Sequence, residues 1–296
     1  MKRALFLGCT VPVRARNYEM AARQTAALLG IEFIDIPGFT CCGFPVKSNA
    51  YTFSQMMSLR NLALAEEKDL EIVVLCSACT SMLAEANHKF RKSAQYRDHV
   101  NALLRKINRS YSGTVRIKHF SRMLLEDVGI DTLRKHITFD LGNISLMPHY
   151  GCHYLKPSEI HGEFDSPEDP KTLDMLIEVT GAKTVDMMGR KHCCGGALLA
   201  SDNRLTYRLA AEKLHMASTS NADALCLVCP FCGVVYDDNQ KLIENELEQI
   251  YQIPVLYYPQ ILGLAFGLDP KHLGFKLNKV KTKTFLSKLY GDMADE

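Results

Sequence analysis

The sequence lacks the features that place a chain in a membrane or on a nucleic acid. No run of about 18 apolar residues is present, so no membrane-spanning helix is predicted. The apolar stretch at residues 4–8 is too short for a signal peptide and predicts a first buried strand. Lys and Arg number 35 against 33 Asp and Glu, so the overall charge predicts no nucleic-acid or anionic membrane partner.

The familiar redox motifs are also missing. There is no ferredoxin-type run of four closely spaced cysteines, no Gly-x-Gly-x-x-Gly after the first strand and no P-loop. The motifs therefore predict no relay cluster and no nucleotide cofactor in this chain.

What the sequence does contain is eleven cysteines in 296 residues. Without a secretion signal, these thiols are expected in the reducing cytoplasm, where grouped cysteines bind metal or do redox chemistry more often than they form disulfides. A single free cysteine is commonly a small core residue, so the arrangement must decide.

The cysteines repeat along the chain. The first half has Cys9, Cys41, Cys42, Cys76 and Cys79, and the second half has Cys152, Cys193, Cys194, Cys229 and Cys232. Each adjacent pair is followed by glycine, and each half ends on Cys-x-x-Cys. Only Cys226 has no counterpart.

Short apolar runs alternate with amphipathic stretches in both halves, which predicts an α/β fold with two mostly parallel sheets flanked by helices. The predicted strands are 4–8, 32–36, 71–75, 115–120, 144–148, 183–188, 222–228 and 254–258. The predicted helices include 18–29, 53–68, 203–217 and 234–250. We expect one domain over residues 1–140 and a second over residues 141–296.

This pattern places the cysteines at the ends of strands. Ligand sites of open α/β folds lie at the carboxyl edge of the sheet, so the five cysteines of each half are expected to converge there. Structural zinc and ordinary cubane clusters need only four thiolates, usually from tight local runs. Five thiols including an adjacent pair favour an iron-sulfur group, while zinc and a metal-free dithiol oxidoreductase remain as alternatives.

The doubled motif, with Cys41-Cys42-Gly43 and Cys193-Cys194-Gly195 as its centres, resembles the tandem cysteine-rich CCG domains found in the B subunits of heterodisulfide reductases. The resemblance spans nearly the whole chain. It implies two repeated CCG domains related by pseudo-twofold symmetry, each holding a noncubane 4Fe-4S cluster on its five cysteines. It also implies an oxidoreductase of methanogenesis that reduces the coenzyme M/coenzyme B disulfide, or a related disulfide, to two thiols between the clusters. The implied partners are a protein like the C subunit of these enzymes, with two cubane 4Fe-4S clusters, and a flavin-bearing protein like their A subunit.

Histidines beside the cysteines are candidate proton donors for such a reaction, namely His149, His153 and His192. The alternative is that they only hydrogen-bond cluster sulfurs or backbone. Three lysines, Lys47, Lys156 and Lys191, are candidates for attracting anionic substrate groups, and the basic segment 271–288 is a candidate docking arm or a solvated tail.

Two other functions fit the same motif. CCG domains also resemble parts of electron-transfer subunits in lactate-, glycolate-, glycerol-phosphate- and succinate-oxidising complexes, although those chains often carry a ferredoxin module or keep one complete motif. A bacterial homologue acting on a different sulfur substrate is the second possibility. Two complete motifs without a ferredoxin part favour the catalytic subunit.

Overall fold

The computed structural model describes residues 1–162, 164–185 and 191–291. Within these residues, eight strands form two sheets, and the strands are β1 (Lys2–Phe6), β2 (Glu32–Ile34), β3 (Ile72–Val74), β4 (Ile117–His119), β5 (Ser145–His149), β6 (Lys183–Thr184), β7 (Ala224–Leu227) and β8 (Val255–Tyr257). All pairings are parallel, and the two sheets have the same strand order, β2-β1-β3-β4 and β6-β5-β7-β8. The predicted α/β fold with two parallel sheets is confirmed.

Helices connect the strands and cover the sheets. Over the described ranges the α-helices are α1 (Val11–Arg14), α2 (Arg16–Leu28), α3 (Tyr51–Glu66), α4 (Ser77–Lys92), α5 (Ala94–Arg105), α6 (Phe120–Met123), α7 (Ile130–His136), α8 (Cys152–Leu155), α9 (Ser158–His161), α10 (Thr172–Glu178), α11 (Asn203–Thr219), α12 (Pro230–Gly233), α13 (Gln240–Leu247), α14 (Tyr258–Ala265) and α15 (Lys283–Tyr290). None of the described helices is both long and apolar enough to cross a membrane.

Burial explains why the central strands are continuous apolar runs. Every residue of β3 and β7 is buried, because helices cover both faces of a parallel sheet. Each predicted strand is found at its expected place, although most are shorter than the apolar run that predicted them. For the strand predicted at 183–188, residues 186–188 lie outside the described residues.

One predicted helix is not continuous in the structure. The stretch 234–250 contains a π-helical turn, Val234–Asp238, followed by the separate helix α13. The Asn239 side-chain amide donates to the Val234 carbonyl at 2.7 Å, which satisfies the backbone where the two pieces meet. Turns of this kind accommodate an extra residue and are frequent at functional sites.

The two halves pack against each other reciprocally. Helix α2 of the first half contacts α14 of the second, and α10 of the second contacts α6 of the first. The rings of Tyr18 and Tyr257 stack at 4.3 Å, and His119 meets Tyr154 edge-on at 5.2 Å. This reciprocity is the pattern of a pseudo-twofold relation. The predicted boundary at residues 140/141 lies between α7 and β5, and it remains a prediction.

The basic C-terminal segment is anchored to the second half. Leu273, Phe275 and Phe285 are buried, and the Lys288 ammonium lies 2.7 Å from the carboxylate of Asp223. Its other lysines are exposed, as at Lys281. The segment is therefore a fixed basic face and not a free tail.

Candidate functional site

The five cysteines of the first half form one continuous group of sulfur atoms. Cys9 follows β1, the Cys41-Cys42 pair precedes a short 3₁₀ helix at Phe44–Val46, and Cys76 and Cys79 lie at the start of α4. The Sγ atoms of Cys9 and Cys41 are 3.9 Å apart. The group continues from Cys41 to Cys42, and then to Cys79 and Cys76, through thiols that are close enough to shift one another's pKa. Residues separated by up to 70 positions therefore share one site.

The second half repeats this arrangement. The Sγ atoms of Cys194 and Cys232 are 3.4 Å apart. The pairs Cys152 and Cys193, Cys193 and Cys194, and Cys229 and Cys232 are also close enough to shift one another's pKa. Cys229 begins α12 as Cys76 begins α4. The structure thus brings together all ten repeated cysteines in two groups of five.

Glycines allow the close approach of backbone to sulfur and helix. Gly8, with φ +64°, lies against Cys79, and a Cβ atom there would be 2.8 Å from the Cys79 sulfur. Gly43, with φ +93°, packs on α3, and its Cβ would be 2.6 Å from the Ser54 carbonyl oxygen. Only glycine adopts these angles without strain while leaving that space open. The glycine after the Cys-Cys pair is therefore required by the turn that aims both thiols into the site.

Contacts between the thiols shift their pKa values in opposite directions. The pKa of Cys42 is lowered to about 4 because the Cys41 and Cys79 thiols donate to it. The pKa of Cys193 is lowered to about 2 by donation from Cys152 and Cys194. The pKa of Cys79 is raised well above its ordinary value, since it is a donor in a buried site. Because metal binds the thiolate form, loading such a site releases protons.

The two sites meet at the junction of the halves. The thiols of Cys76 and Cys229 lie in contact across the junction, and the pKa of Cys229 is lowered first by Cys232 and then by Cys76. The Val228 carbonyl, just before Cys229, accepts from the Tyr18 hydroxyl at 3.3 Å, and its other partners are Ser77 Oγ at 3.4 Å and His119 Nε2 at 2.8 Å. Three first-half side chains thus fix the position of a second-half cysteine loop.

Each site has a buried side and an open side. Cys42, Cys76 and Cys79 are buried in the first half, as are Cys194, Cys229 and Cys232 in the second. Cys9, Cys152 and Cys193 are exposed. A group bound here would be held by the buried thiols on one side and would expose its other side to a ligand.

The three candidate histidines lie in different environments. His149 is fully buried, with its pKa lowered to about 3 by burial and by nearby Lys213. His153 is part-exposed and packs edge-on against Phe44 of the other half at 4.9 Å. His192 is part-exposed, with Nδ1 3.8 Å from a carboxylate oxygen of Glu212. Only His153 lies beside residues of both sites.

The candidate lysines also differ. Lys47 is paired with Glu85 at 2.5 Å and Lys191 with Glu168 at 3.4 Å. Lys156 is exposed, and the described residues provide it with no ion pair. Lys156 is therefore the lysine of the three best placed to meet an anionic group.

Sequence reasoning missed two polar residues of the second site, Tyr236 and Lys213. Both are fully buried near the second-half cysteines or the end of β5. Aligning the halves by the spacing of their cysteines would have found them, since they stand where the first half has Leu83 and Asn61. The unmatched Cys226 lies fully buried in β7, where burial raises the pKa of its thiol.

The donor set fits an iron-sulfur group in each half. All five side chains are thiols, and sulfur donors select zinc or iron-sulfur over hard cations. Structural zinc takes four ligands, so the fifth thiol would have no role around it. In the second half, a ring nitrogen of His149 and the sulfurs of Cys194 and Cys232 also lie within 4.8 Å of one another.

Comparison with known proteins agrees with this geometry. The CCG cysteine-rich domain model matches residues 3–84 and 147–236. The B subunit of the ferredoxin:CoB-CoM heterodisulfide reductase of Methanosarcina mazei is 33% identical over 98% of this chain and 97% of that protein. The 8-methylmenaquinol:fumarate reductase membrane anchor subunit of Wolinella succinogenes is 30% identical over 94% of this chain and 96% of that protein.

A solved structure shares the fold. A hypothetical protein from Helicobacter pylori superposes with a TM-score of 0.75 at 15% identity, covering 95% of this chain. The chain spans about half of that structure, 52% of its length.

Proposed function

The chain belongs to the family of tandem cysteine-rich CCG domain proteins that includes the heterodisulfide reductase B subunits, and we propose that it is the catalytic iron-sulfur subunit of a complex that reduces a disulfide to two thiols. The observation that carries the proposal is the contact between Cys76 and Cys229, which puts two five-cysteine sites side by side. The coenzyme M/coenzyme B disulfide is the substrate named for the relatives, and it is the first substrate to test. A role in methanogenesis would follow from that substrate.

The proposed cofactors are two noncubane 4Fe-4S clusters. Cys9, Cys41, Cys42, Cys76 and Cys79 would hold the first cluster, and Cys152, Cys193, Cys194, Cys229 and Cys232 would hold the second. When bound, such clusters would supply single electrons and iron positions for sulfur ligands. The cysteines themselves would contribute charge, because thiolates such as Cys42 and Cys193 form without a large deprotonation cost.

The protein side chains have to bind the substrate and supply protons. Reduction of a disulfide to two thiols consumes two electrons and two protons. His153 would hold a proton at the opening, a role supported by its partial exposure and by its contact with Phe44 across the junction. His192 is a second proton donor at the edge of the second site, while His149 is buried and neutral there. Lys156 would attract an anionic end of the substrate.

Electrons would come from partner proteins. The relatives are named as B subunits, which indicates a multisubunit reductase, and this chain contains no flavin or relay motif. We propose a partner like the C subunit of these enzymes, with two cubane 4Fe-4S clusters, and behind it a flavin-bearing protein like their A subunit. The fixed basic face at residues 271–288 is a candidate contact for the first of these. Eleven free thiols suit assembly in a reducing cytoplasm.

A second candidate function is electron transfer within another reductase complex. It is favoured by the similarity to the fumarate reductase subunit of Wolinella succinogenes, which covers almost the whole chain. In that role the two sites would pass electrons without binding a thiol.

Anaerobic purification followed by iron and sulfide analysis tests the cofactors, and EPR of the oxidised protein with coenzyme M thiol tests the chemistry. We expect about eight irons per chain, from two four-iron clusters, and a signal that depends on the thiol. One zinc per half would overturn the cluster proposal. A full iron content with a spectrum indifferent to thiols would instead favour the electron-transfer function.

A further inference from the structure

The two sites differ in polarity at two matched positions. Phe6 and His149 each stand two residues before the glycine that precedes the first cysteine. Leu83 and Tyr236 each stand four residues after the last cysteine. The first half therefore has an apolar side chain at both positions, and the second half has a hydrogen-bonding side chain at both.

His149 points into the second site. It is fully buried, and neither ring nitrogen has a hydrogen-bond partner among the described residues. A ring nitrogen and the sulfurs of Cys194 and Cys232 lie within 4.8 Å of one another. Burying a polar group without a hydrogen-bond partner costs free energy. The imidazole is therefore suited to hydrogen-bond a group that is bound in this space.

Tyr236 lies beside His149 and has the same property. Its ring meets the imidazole edge-on at 5.0 Å, its side chain is fully buried, and its hydroxyl has no partner within the described part of the chain. Burial raises the pKa of its hydroxyl, and the charges of Cys194, Cys232, Cys193 and Cys152 raise it further. Two unsatisfied polar groups therefore border the same sulfur atoms.

A third matched position strengthens the contrast. Asn61 of the first half holds the loop before the cysteine pair by bonds to Thr40 and Cys41. In the second half this position is Lys213, whose ammonium donates to the Pro148 carbonyl at 3.1 Å. The lysine thus supports the strand end that carries His149.

We propose that His149 and Tyr236 donate hydrogen bonds to sulfur of the iron-sulfur group held by the second-half cysteines, which gives that site the higher midpoint potential. This inference rests on the proposed iron-sulfur function. Hydrogen bonds to sulfur stabilise the more negative, reduced form of such a group and raise its potential. Phe6 and Leu83 cannot donate, so the first site stays at a lower potential. Electrons that enter the chain would then reside on the second-half site in preference to the first.

A potentiometric titration of the full chain, followed by EPR, tests the proposal. The Cys42→Ala variant, which lacks a first-half ligand, identifies which of the two midpoints belongs to the second site. We expect that midpoint to be the higher in the wild type and to fall in His149→Phe and in Tyr236→Phe, while the first-site midpoint stays unchanged. Tyr258→Phe is the matched control, because it removes a buried phenol hydroxyl bonded to the Leu176 carbonyl, and it should shift neither midpoint.

Pulsed EPR in deuterated buffer gives a second readout. Exchangeable protons coupled to the second site should be lost in both variants. Unchanged midpoints in both variants, or a nitrogen coupling as strong as that of an iron-bound imidazole, would overturn the inference. Loss of second-site iron from both variants would also overturn it, because both residues would then serve to hold the group. A wild-type chain without iron defeats the proposed function itself, whereas two clusters with equal midpoints defeat only this inference.

Discussion

Replacing Gly43 by alanine tests whether close packing on α3 sets the Cys-Cys turn. At this position φ is +93°, and a Cβ atom would be 2.6 Å from the carbonyl oxygen and 2.9 Å from the Cα of Ser54. Gly30 is the matched control, because its φ is +70° and no atom lies within 4 Å of its Cβ position. Gly30→Ala therefore measures the backbone strain alone.

The expected magnitudes follow from this difference. Left-handed backbone costs a non-glycine residue about 1–2 kcal/mol in either variant. Gly43→Ala also forces the turn away from α3, and overpacking of this kind adds about 1–3 kcal/mol. For a chain of this size, each kcal/mol lowers the thermal midpoint by about 2–4 °C. The displaced turn would also move the sulfurs of Cys41 and Cys42 beyond the roughly 0.2 Å that ligand distances tolerate.

The assay is iron content per chain, with thermal unfolding measured beside it. We expect Gly30→Ala to keep all its iron and Gly43→Ala to lose the half that belongs to the first site. If Gly43→Ala keeps its full iron and unfolds within about 2 °C of Gly30→Ala, the shift expected from a single kcal/mol, the close approach to Ser54 does not shape the site.

Three further changes have defined outcomes. Cys42→Ala should abolish the first-site EPR signal and spare the second, whereas Cys226→Ala, which changes a buried cysteine outside both groups, should keep both signals. His119→Phe removes one donor from the Val228 carbonyl and leaves the buried Ser121 N–H without its acceptor, so it should destabilise the chain by about 1–3 kcal/mol, seen as a lower thermal midpoint. The pKa of the Asp237 carboxyl is raised to about 6 by burial. The stability that its protonated form contributes is complete below about pH 4 and is lost as the pH rises through 6. Asp237→Asn should therefore reduce the dependence of the free energy of unfolding on pH, measured by unfolding curves between these two pH values.

The sequence predicted the parts of the fold that depend on local pattern. Apolar runs located all eight described strands, because buried parallel strands are apolar on both faces. Cysteine spacing grouped the ten repeated thiols correctly, because they stand in the loops and first helical turns that follow the strands at the carboxyl edge of each sheet.

Features that depend on contacts between distant residues were not predictable. The contact between Cys76 and Cys229 joins residues in different halves, and no periodicity of the sequence predicts it. The pairing of Lys47 with Glu85, 38 positions later in the chain, is likewise not visible in the sequence pattern. The π turn at Val234–Asp238 was hidden because its residues continue an amphipathic pattern.

The carbonyl of Val228 also imposes an order on biosynthesis. The ribosome delivers Tyr18, Ser77 and His119 long before their common acceptor, so the newly made first half carries three donors that the finished interior cannot leave unsatisfied. We therefore expect the first cysteine site to reach its final shape only after residue 228 has been translated and docked. Iron insertion into either half should then follow the synthesis of β7, and a chain truncated before β7 should be a poor acceptor for iron.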